Sequence, residues 1–452
     1  GNNTATGNAA LQNNTTGEGN TAVGSNSLYE NTTGENNTGI GTNSLKNNTT
    51  GLENTAIGLN ALMSNTTANY NTSVGTNSLK YNTLGYKNTA IGHNTLTSNT
   101  TGFDNTAIGQ DSLRNNITGY ENTAMGQNSL ESNTSGSKNT AIGHDSMRSN
   151  TTGYHNTALG HDSLVFNTTG YDNTAGGKNS LENNTTGYQN TAFGTDALET
   201  NTTGYRNTSF GAFSLEDNTT GHSNTSIGQD SMSGNTSGNR NVALGISTLK
   251  ANTTGEKNVA VGAHSLLTNT TGYENVAVGK NALEFNTTGY RNSSTGAYAL
   301  RFNTTGQNNT AHGFASLYNN TTGSFNSGFG RGALGTNTTG SNNTALGKWA
   351  LVYNQSGSSN TSIGFETGAN NLTGSGNVFI GYQAGYNETG SNKLYIDNSN
   401  TSSPLIYGDF DSNKLTVNGD MSVTGTLAAD KITDSSGNSL LRTNASDGSV
   451  HI

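Results

Sequence analysis

The chain has 452 residues, a formal net charge of −9, 11% charged residues and no cysteine. This weak acidic balance offers no basic surface to nucleic-acid phosphates, and the absence of cysteine excludes disulfide frameworks, thiol catalysis and cysteine-based zinc sites. No apolar run approaches the roughly 20 residues of a membrane-spanning helix. We therefore expect no nucleic-acid partner and no membrane span in this chain.

A strict repeat starts at the first residues of the chain and overrules the low apolar content, which by itself would favour disorder. Glycine recurs at every seventeenth position from Gly7 to Gly381, which gives 23 occurrences. A constant spacing indicates a stack of similar supersecondary units, because disordered tracts do not keep several columns in phase. Numbered from Asn3, the consensus is NTAIGxNSLxxNTTGYx, with positions 1 to 17.

Four columns define the unit: Asn at positions 1 and 12, Leu or Met at position 9, and Gly at position 15 except for Ala68. The spacing of five between the apolar positions 4 and 9, together with the Gly and Asn content, excludes a helix. We predict two short extended segments per unit, NTAIG and the region around SLxxNTT, with the glycines of positions 5 and 15 at the corners. Asn and Gly suit such corners because both tolerate left-handed backbone.

The predicted fold class is all-β, a parallel β-solenoid (β-roll) of about 22–23 seventeen-residue coils. Coils stack at the strand spacing of about 4.8 Å, so the coils would form a rod on the order of 110 Å long. The Asn and Thr columns are expected to form hydrogen-bond ladders. Triplets such as Asn48-Thr49-Thr50 are formal glycosylation acceptors, but glycans this closely spaced would collide, and a structural role is favoured.

The predicted core is thin. Val replaces Thr at position 2 in some units, as in Val242 and Val259, which places positions 2 and 4 on one face of the strand and the small position 3 on the other. We interpret positions 4 and 9 as the core columns. Two apolar columns bury too little surface to offset the lost backbone entropy, so we predict an obligate oligomer in which another chain approaches the small residues of position 3.

The NTAIGxxSL unit resembles the NSVAIGxxS repeat of trimeric autotransporter adhesin heads. The units NVALG at 241–245 and NVAVG at 275–279 are the most similar, although the period of seventeen is longer and NTTG is an added segment. The resemblance covers residues 1–381. It implies that the β-roll is left-handed and that the partner is two further copies of the chain, in a homotrimer.

The regular repeat ends at 381. Around this point position 9 changes from Leu to Gly, at Gly368 and again at Gly385. Alternating apolar residues then recur in 392–410, NKLYIDNSNTSSPLIYGDF, and from Leu415 to Leu427. Short strands separated by glycines suit a narrow trimeric β-prism stem. The predicted domains are the β-roll rod at 1–381, a transition or neck at 382–410, and a C-terminal β stem at 411–452.

The C-terminal segment resembles the stem of phage tail-fibre proteins and related bacterial surface proteins. In that family NKLYI and PLIYGDF precede a self-cleaving intramolecular chaperone domain of the endosialidase type. The resemblance implies that such a domain is removed after Ile452. Because the chain also begins within the repeat pattern, we expect a processed product or a fragment.

Motifs for phosphate loops, zinc peptidases, α/β-hydrolases and calcium-binding nonapeptides do not occur, and we predict that the protein is not an enzyme and has no metal or cofactor. His144 and His161 fall at position 6 of consecutive units, followed by Asp145 and Asp162. Solvated surface pairs are the favoured interpretation. A metal or anion site on the axis of a trimer is the alternative.

Position 16 is tyrosine in many units, most regularly at Tyr154, Tyr171, Tyr188 and Tyr205. Stacked coils would bring these rings together in an aromatic ladder that stabilises the roll. The alternative is a glycan-facing track of tyrosines along the rod.

These observations favour a structural and adhesive extracellular fibre. It would be a homotrimeric rod at the bacterial cell surface, as an adhesin or filament, or on a virion as a tail fibre, and it would present a repetitive surface to a cell-surface glycan or another receptor. The alternative is a ligand-binding β-solenoid module for glycan or ice, using the Thr rows of positions 13 and 14. Exposed Thr would favour that module, and buried Thr ladders would count against it.

Overall fold

Each seventeen-residue repeat forms one coil of a parallel β-solenoid. The computed structural model describes residues 1–429, 431–434, 436–443 and 450–451, and no helix occurs in these ranges. Every coil contributes one strand of three residues, at positions 2 to 4, and each strand pairs in parallel with the same positions of the next coil. The all-β parallel solenoid with about 23 coils, predicted from the period, is confirmed.

The strands of the coils are β1 Thr4–Thr6, β2 Thr21–Val23, β3 Thr38–Ile40, β4 Thr55–Ile57, β5 Thr72–Val74, β6 Thr89–Ile91, β7 Thr106–Ile108, β8 Thr123–Met125, β9 Thr140–Ile142, β10 Thr157–Leu159, β11 Thr174–Gly176, β12 Thr191–Phe193, β13 Thr208–Phe210, β14 Thr225–Ile227, β15 Val242–Leu244, β16 Val259–Val261, β17 Val276–Val278, β18 Ser293–Thr295, β19 Thr310–His312, β20 Ser327–Phe329, β21 Thr344–Leu346, β22 Thr361–Ile363 and β23 Val378–Ile380.

The inner and outer faces of the strand are the reverse of the prediction. In β9, Ala141 at position 3 is fully buried, whereas Ile142 at position 4 is 40% exposed. Positions 2 and 4 do share a face, but that face points outward, and the small position 3 points into the coil. Position 4 as a core column and position 3 as the surface for another chain are therefore both wrong. The narrow coil accommodates only a small side chain beside the buried leucine.

The second predicted extended segment is also wrong, because positions 6 to 11 form turns. Positions 7, 9 and 17 adopt left-handed backbone, with φ of 56° at Asp162, 53° at Leu164 and 55° at Asp172. This region of backbone conformation is strongly unfavourable for β-branched residues. That restriction explains why position 9 holds Leu or Met in the regular coils but never Val or Ile, and why Asn and Asp are common at position 7.

Two asparagine ladders run through the interior. Asn122, at position 1, is buried away from water. Its backbone N donates to Asn105 Oδ1 at 3.1 Å, and its Nδ2 donates to the carbonyl of Gly136 at 2.9 Å. At position 12, Asn116 Nδ2 donates to Asn99 Oδ1 at 2.8 Å. The predicted amide ladders are confirmed. The same burial makes Asn48, the first residue of a formal glycosylation triplet, a fully buried ladder member.

Replacing Asn116 with alanine is expected to destabilise the roll by about 2 kcal/mol or more, because Asn99 Oδ1 loses its Nδ2 donor and Asn133 Nδ2 loses its acceptor inside the coil. The matched control is Asn115→Ala, one residue earlier, where the side chain is exposed. Thermal unfolding of the two variants and the parent chain measures the difference. Equal melting of both variants would show that the ladder contributes nothing to stability.

The last coils replace the leucine column by another packing. Position 3 becomes Phe379, which is fully buried, and a Cβ at either Gly368 or Gly385 would collide with its ring. The two glycines, which stand where earlier coils carry leucine, therefore leave the space that the ring fills. A ladder member also changes here, because Asn371 Oδ1 accepts from the backbone N of Gly374 at 2.7 Å.

Beyond the regular coils the sheet continues and reverses. Strand β24 (Lys393–Ile396) pairs in parallel with β23, and β25 (Ile406–Asp409) and β26 (Lys414–Val417) add in antiparallel order. The alternating runs of the predicted neck are thus strands. A small antiparallel sheet follows, formed by β27 (Ile432–Thr433), β28 (Ser439–Thr443) and β29 (Val450–His451). Between β26 and β27, residues 418–429 contain no strand, which differs from the strand predicted by the alternation up to Leu427.

Candidate functional site

The outward-pointing side chains of position 4 form a mostly apolar column, here called the apolar stripe, from Val23 to Ile380, with interruptions at Gly176, Thr295 and His312. The parallel register places them on one another, as in the pairs Ile91 with Ile108 and Val261 with Val278. The more exposed members are between 37% and 50% accessible to solvent. These exposed members are Val23, Ile40, Ile57, Ile91, Met125, Ile142, Leu159, Phe193, Phe210, Ile227, Val278, Phe329, Leu346 and Ile363.

Aromatic rings of the next coil lie against two of the three interruptions of the apolar stripe, and Thr295 is the third. At Gly176 the ring of Phe193 from the next coil occupies the space that a Cβ would need, and this ring stacks on Phe210 with centroids 5.2 Å apart. At His312 the imidazole stacks on Phe329 at 5.4 Å. A soluble monomer rarely exposes an apolar surface this long without a partner for it.

The predicted aromatic ladder of position 16 is confirmed. The centroid distances are 5.1 Å for Tyr154 and Tyr171, 5.0 Å for Tyr171 and Tyr188, and 4.9 Å for Tyr188 and Tyr205, with interplanar angles of 5° to 7°. Desolvation, followed by the neighbouring phenols Tyr188 and Tyr154, raises the pKa of Tyr171. Because each ring covers the face of its neighbour, this ladder offers ring edges to solvent along most of its length. A glycan-facing role for these four tyrosines stays a prediction.

His144 and His161, at position 6 of consecutive coils, lie on the surface. Their rings stack with centroids 5.0 Å apart and 13° between planes. His161 Nδ1 lies 2.7 Å from Asp162 Oδ2, and His144 Nδ1 lies 3.4 Å from Asp145 Oδ2. Ligand atoms of His144, His161 and Asp162 come within 4.8 Å of one another, but nearly parallel rings point their lone pairs in the same direction and do not converge on one ion. The arrangement is that of two surface His–Asp pairs.

Position 10 carries an acidic column that the sequence analysis did not single out. Glu182, Glu199 and Glu216 occupy this position in three consecutive coils. Desolvation is the main cause that raises the pKa of each carboxyl, and the next cause is a neighbouring carboxylate, Asp196 in the case of Glu199. Like charges stacked at the coil spacing repel one another, so the column favours the protonated form.

Acidification is expected to stabilise this part of the roll. A folded-state pKa above the ordinary 4.5 means that the folded chain holds more protons than the unfolded chain in the window between the two values. Stability therefore falls as pH rises through this window and stays lower above it. Glu199→Gln is expected to raise the melting temperature at pH 7 and to change it little at pH 4. A variant that melts lower than the parent at pH 7 would contradict this.

The two Thr rows differ. Thr151 at position 13 is half-buried, and its Oγ1 donates to the carbonyl of Thr168 in the next coil at 2.9 Å. Thr152 at position 14 is exposed, as are Thr169, Thr186 and Thr203 of the following coils. Only the position-14 row therefore offers free hydroxyls in a flat, regular array.

No known family model matches the chain, and no curated protein sequence matches it either. Within the ranges that the structure describes, no helix has both the length and the apolarity that a membrane crossing requires.

Proposed function

We propose that the protein is a non-catalytic, structural and adhesive extracellular fibre in which three copies of the chain associate along their apolar stripes. The observation that carries this proposal is the apolar stripe itself, because it follows the rod through the regular coils and is apolar at all but three of them from Val23 to Ile380. Covering the exposed part of one such side chain contributes roughly 1 kcal/mol. Repeated coil after coil, this contribution favours a long interface between parallel copies.

The C-terminal segment supports the same proposal. Leu405, Leu415, Met421 and Leu427 are between 55% and 68% exposed, and residues 418–429 form no strand with any other part of the chain that the structure describes. Further copies would supply both a cover for these side chains and strand partners, as a β-prism stem does. The trimeric state and a left-handed roll also follow from the resemblance to adhesin heads.

In this proposal the rod holds an attachment surface away from the bacterial cell or the virion. In the same proposal, a chaperone domain removed after Ile452 would assist the assembly of the trimeric stem. Many weak contacts along parallel copies suit attachment to a repetitive cell-surface glycan, because multivalency raises avidity without any strong single site.

Charges placed in the apolar stripe test the assembly. The double variant Ile142→Glu, Leu159→Glu is expected to reduce the fraction of trimer, because burying two carboxylates between chains costs several kcal/mol. Native mass spectrometry or light scattering measures the change. The control is Thr152→Glu, in an exposed row outside the stripe. A parent chain that is a stable monomer, or a trimer indifferent to the double variant, would refute the proposed interface.

The second candidate is a glycan- or ice-binding module, and the exposed Thr row of position 14 is the observation in its favour. An ice-recrystallisation assay on the parent chain and on a variant with Thr152, Thr169 and Thr186 changed to Lys distinguishes it from the fibre. Inhibition by the parent that is lost in the variant would favour the module.

A further inference from the structure

One coil near the end of the roll lacks two outward side chains. Among the 23 repeats, position 7 is glycine only at Gly332 and position 10 only at Gly335, and both fall in the same coil. A cleft of about 470 Å³ opens there, lined by residues of this coil and the two before it. This volume lies within the range of about 300 to 1,000 Å³ that is usual for small-molecule sites.

The walls of the cleft carry three aromatic rings, Tyr298, Phe314 and Tyr318. Tyr298 and Phe314 meet edge to face, with centroids 5.6 Å apart at 80°. Phe314 is 49% exposed. The guanidinium of Arg301 lies over Tyr298 and Tyr318, 5.5 and 5.9 Å from their centroids, and that of Arg331 lies over Phe314 at 5.6 Å. A ligand in this cleft therefore meets exposed aromatic surface next to two cations.

An arginine with a buried partner lines the cleft beside the rings. Arg301 Nε donates to Glu284 Oε2 at 2.6 Å, and its Nη1 donates to the hydroxyl of Tyr318 at 3.0 Å. Glu284 is only 7% exposed, so the guanidinium is held in place and its charge is neutralised. Asn319 also lines the cleft, and its side-chain amide has no hydrogen-bond partner among the described residues. The cleft thus combines exposed aromatic surface with hydrogen-bonding groups, next to the guanidinium of Arg331.

The single tryptophan of the chain lies next to the same coil. A Cβ added at Gly332 would lie 2.6 Å from Trp349 Cδ1, which shows that the indole leans across this glycine. Any side chain at position 332 would displace it.

We propose that this cleft binds one hexopyranose unit of a glycan, an inference that rests on the proposed attachment function and names its ligand class. The apolar face of a pyranose presents C–H groups with partial positive charge, which pack on the exposed surface of aromatic rings. Its hydroxyls both donate and accept, as the Asn319 amide and the Tyr318 hydroxyl do.

Titration with methyl glycosides tests the site, with Trp349 fluorescence and isothermal calorimetry as the two measurements. Methyl glucoside, methyl galactoside and methyl N-acetylglucosaminide are the neutral probes, and methyl glucuronide is the acidic one. At least one of the four probes is expected to bind saturably. No saturable response to any of them would overturn the proposal.

Two variants locate the binding. Gly335→Leu adds a side chain that would fill part of the cleft, and leucine is compatible with position 10 because Leu267 occupies it in another coil. Phe314→Ala removes an aromatic ring from the wall. Each is expected to weaken binding at least about tenfold. The control is Phe325→Ala, which removes an equally exposed ring at position 17. Unchanged binding in Gly335→Leu would overturn the site.

Oligomer mass, measured on the same samples, separates this proposal from the fibre. Sugar binding by a monomeric chain would refute the trimeric fibre and support the binding site. Loss of trimer in Phe314→Ala, without sugar binding in the parent, would assign the cleft to an interface between copies and overturn the sugar site.

Discussion

Phe379→Ala is expected to destabilise the C-terminal coils by about 3 to 5 kcal/mol, the usual cost of removing a fully buried phenylalanine. The ring fills the space beside Gly368 and Gly385, so its removal leaves a cavity that neither glycine can fill. Because a solenoid unfolds by local units, the effect is expected in the last coils more than in the whole rod. Hydrogen exchange of the backbone amides in β22 and β23 measures it.

A compensating variant makes this prediction specific. Gly368 and Gly385 have φ of 57° and 62°, close to the left-handed values of leucine in the earlier coils, so leucine is compatible with the backbone at both. Gly368→Leu with Gly385→Leu is expected to be destabilising alone, through collision with the ring, and to restore stability when combined with Phe379→Ala. Additive losses in the triple variant would contradict the exchange of leucine for phenylalanine. Phe325→Ala, at a 55% exposed ring, is the control for losing an aromatic side chain.

Gly109→Val is expected to disrupt its coil, at a cost of more than about 3 kcal/mol. Gly109 has φ of 131°, a backbone conformation that residues with a side chain rarely adopt. A Cβ there would lie 2.5 Å from the carbonyl oxygen of Gly126 in the next coil. Strain and collision act together, because the neighbour is backbone and cannot move aside. Position 5 therefore requires glycine for two reasons, a positive φ and the close approach of the backbone of the next coil.

The measurement is thermal unfolding with circular dichroism, together with hydrogen exchange around 106–128. Gly425→Val is the matched control, since a Cβ at Gly425 meets no atom within 4 Å. An unchanged melting profile for Gly109→Val would show that the coils tolerate a displaced corner.

The period predicted the stacked coils, the amide ladders and the aromatic ladder, because identical residues at a fixed spacing meet whatever the shape of the coil. The hydrogen bond between Asn116 and Asn99 and the stacking of Tyr154 on Tyr171 follow from the register alone. The change of position 9 to Gly368 was visible in the sequence as an end of regularity. The compensating Phe379, a large residue in a column of small ones, was an available signal that the sequence analysis did not use.

By itself, the sequence determined that the protein is a stack of seventeen-residue coils with polar ladders running along it. Only the tertiary structure decided which face of each strand is interior, since a period of two defines two faces but not their direction. The coil already holds Leu164 and two asparagines, and this leaves space for Ala158 and none for Leu159. That volume constraint turned position 4 outward as the apolar stripe. The cleft at Gly332 likewise depends on side chains of neighbouring coils, which the sequence alone does not place.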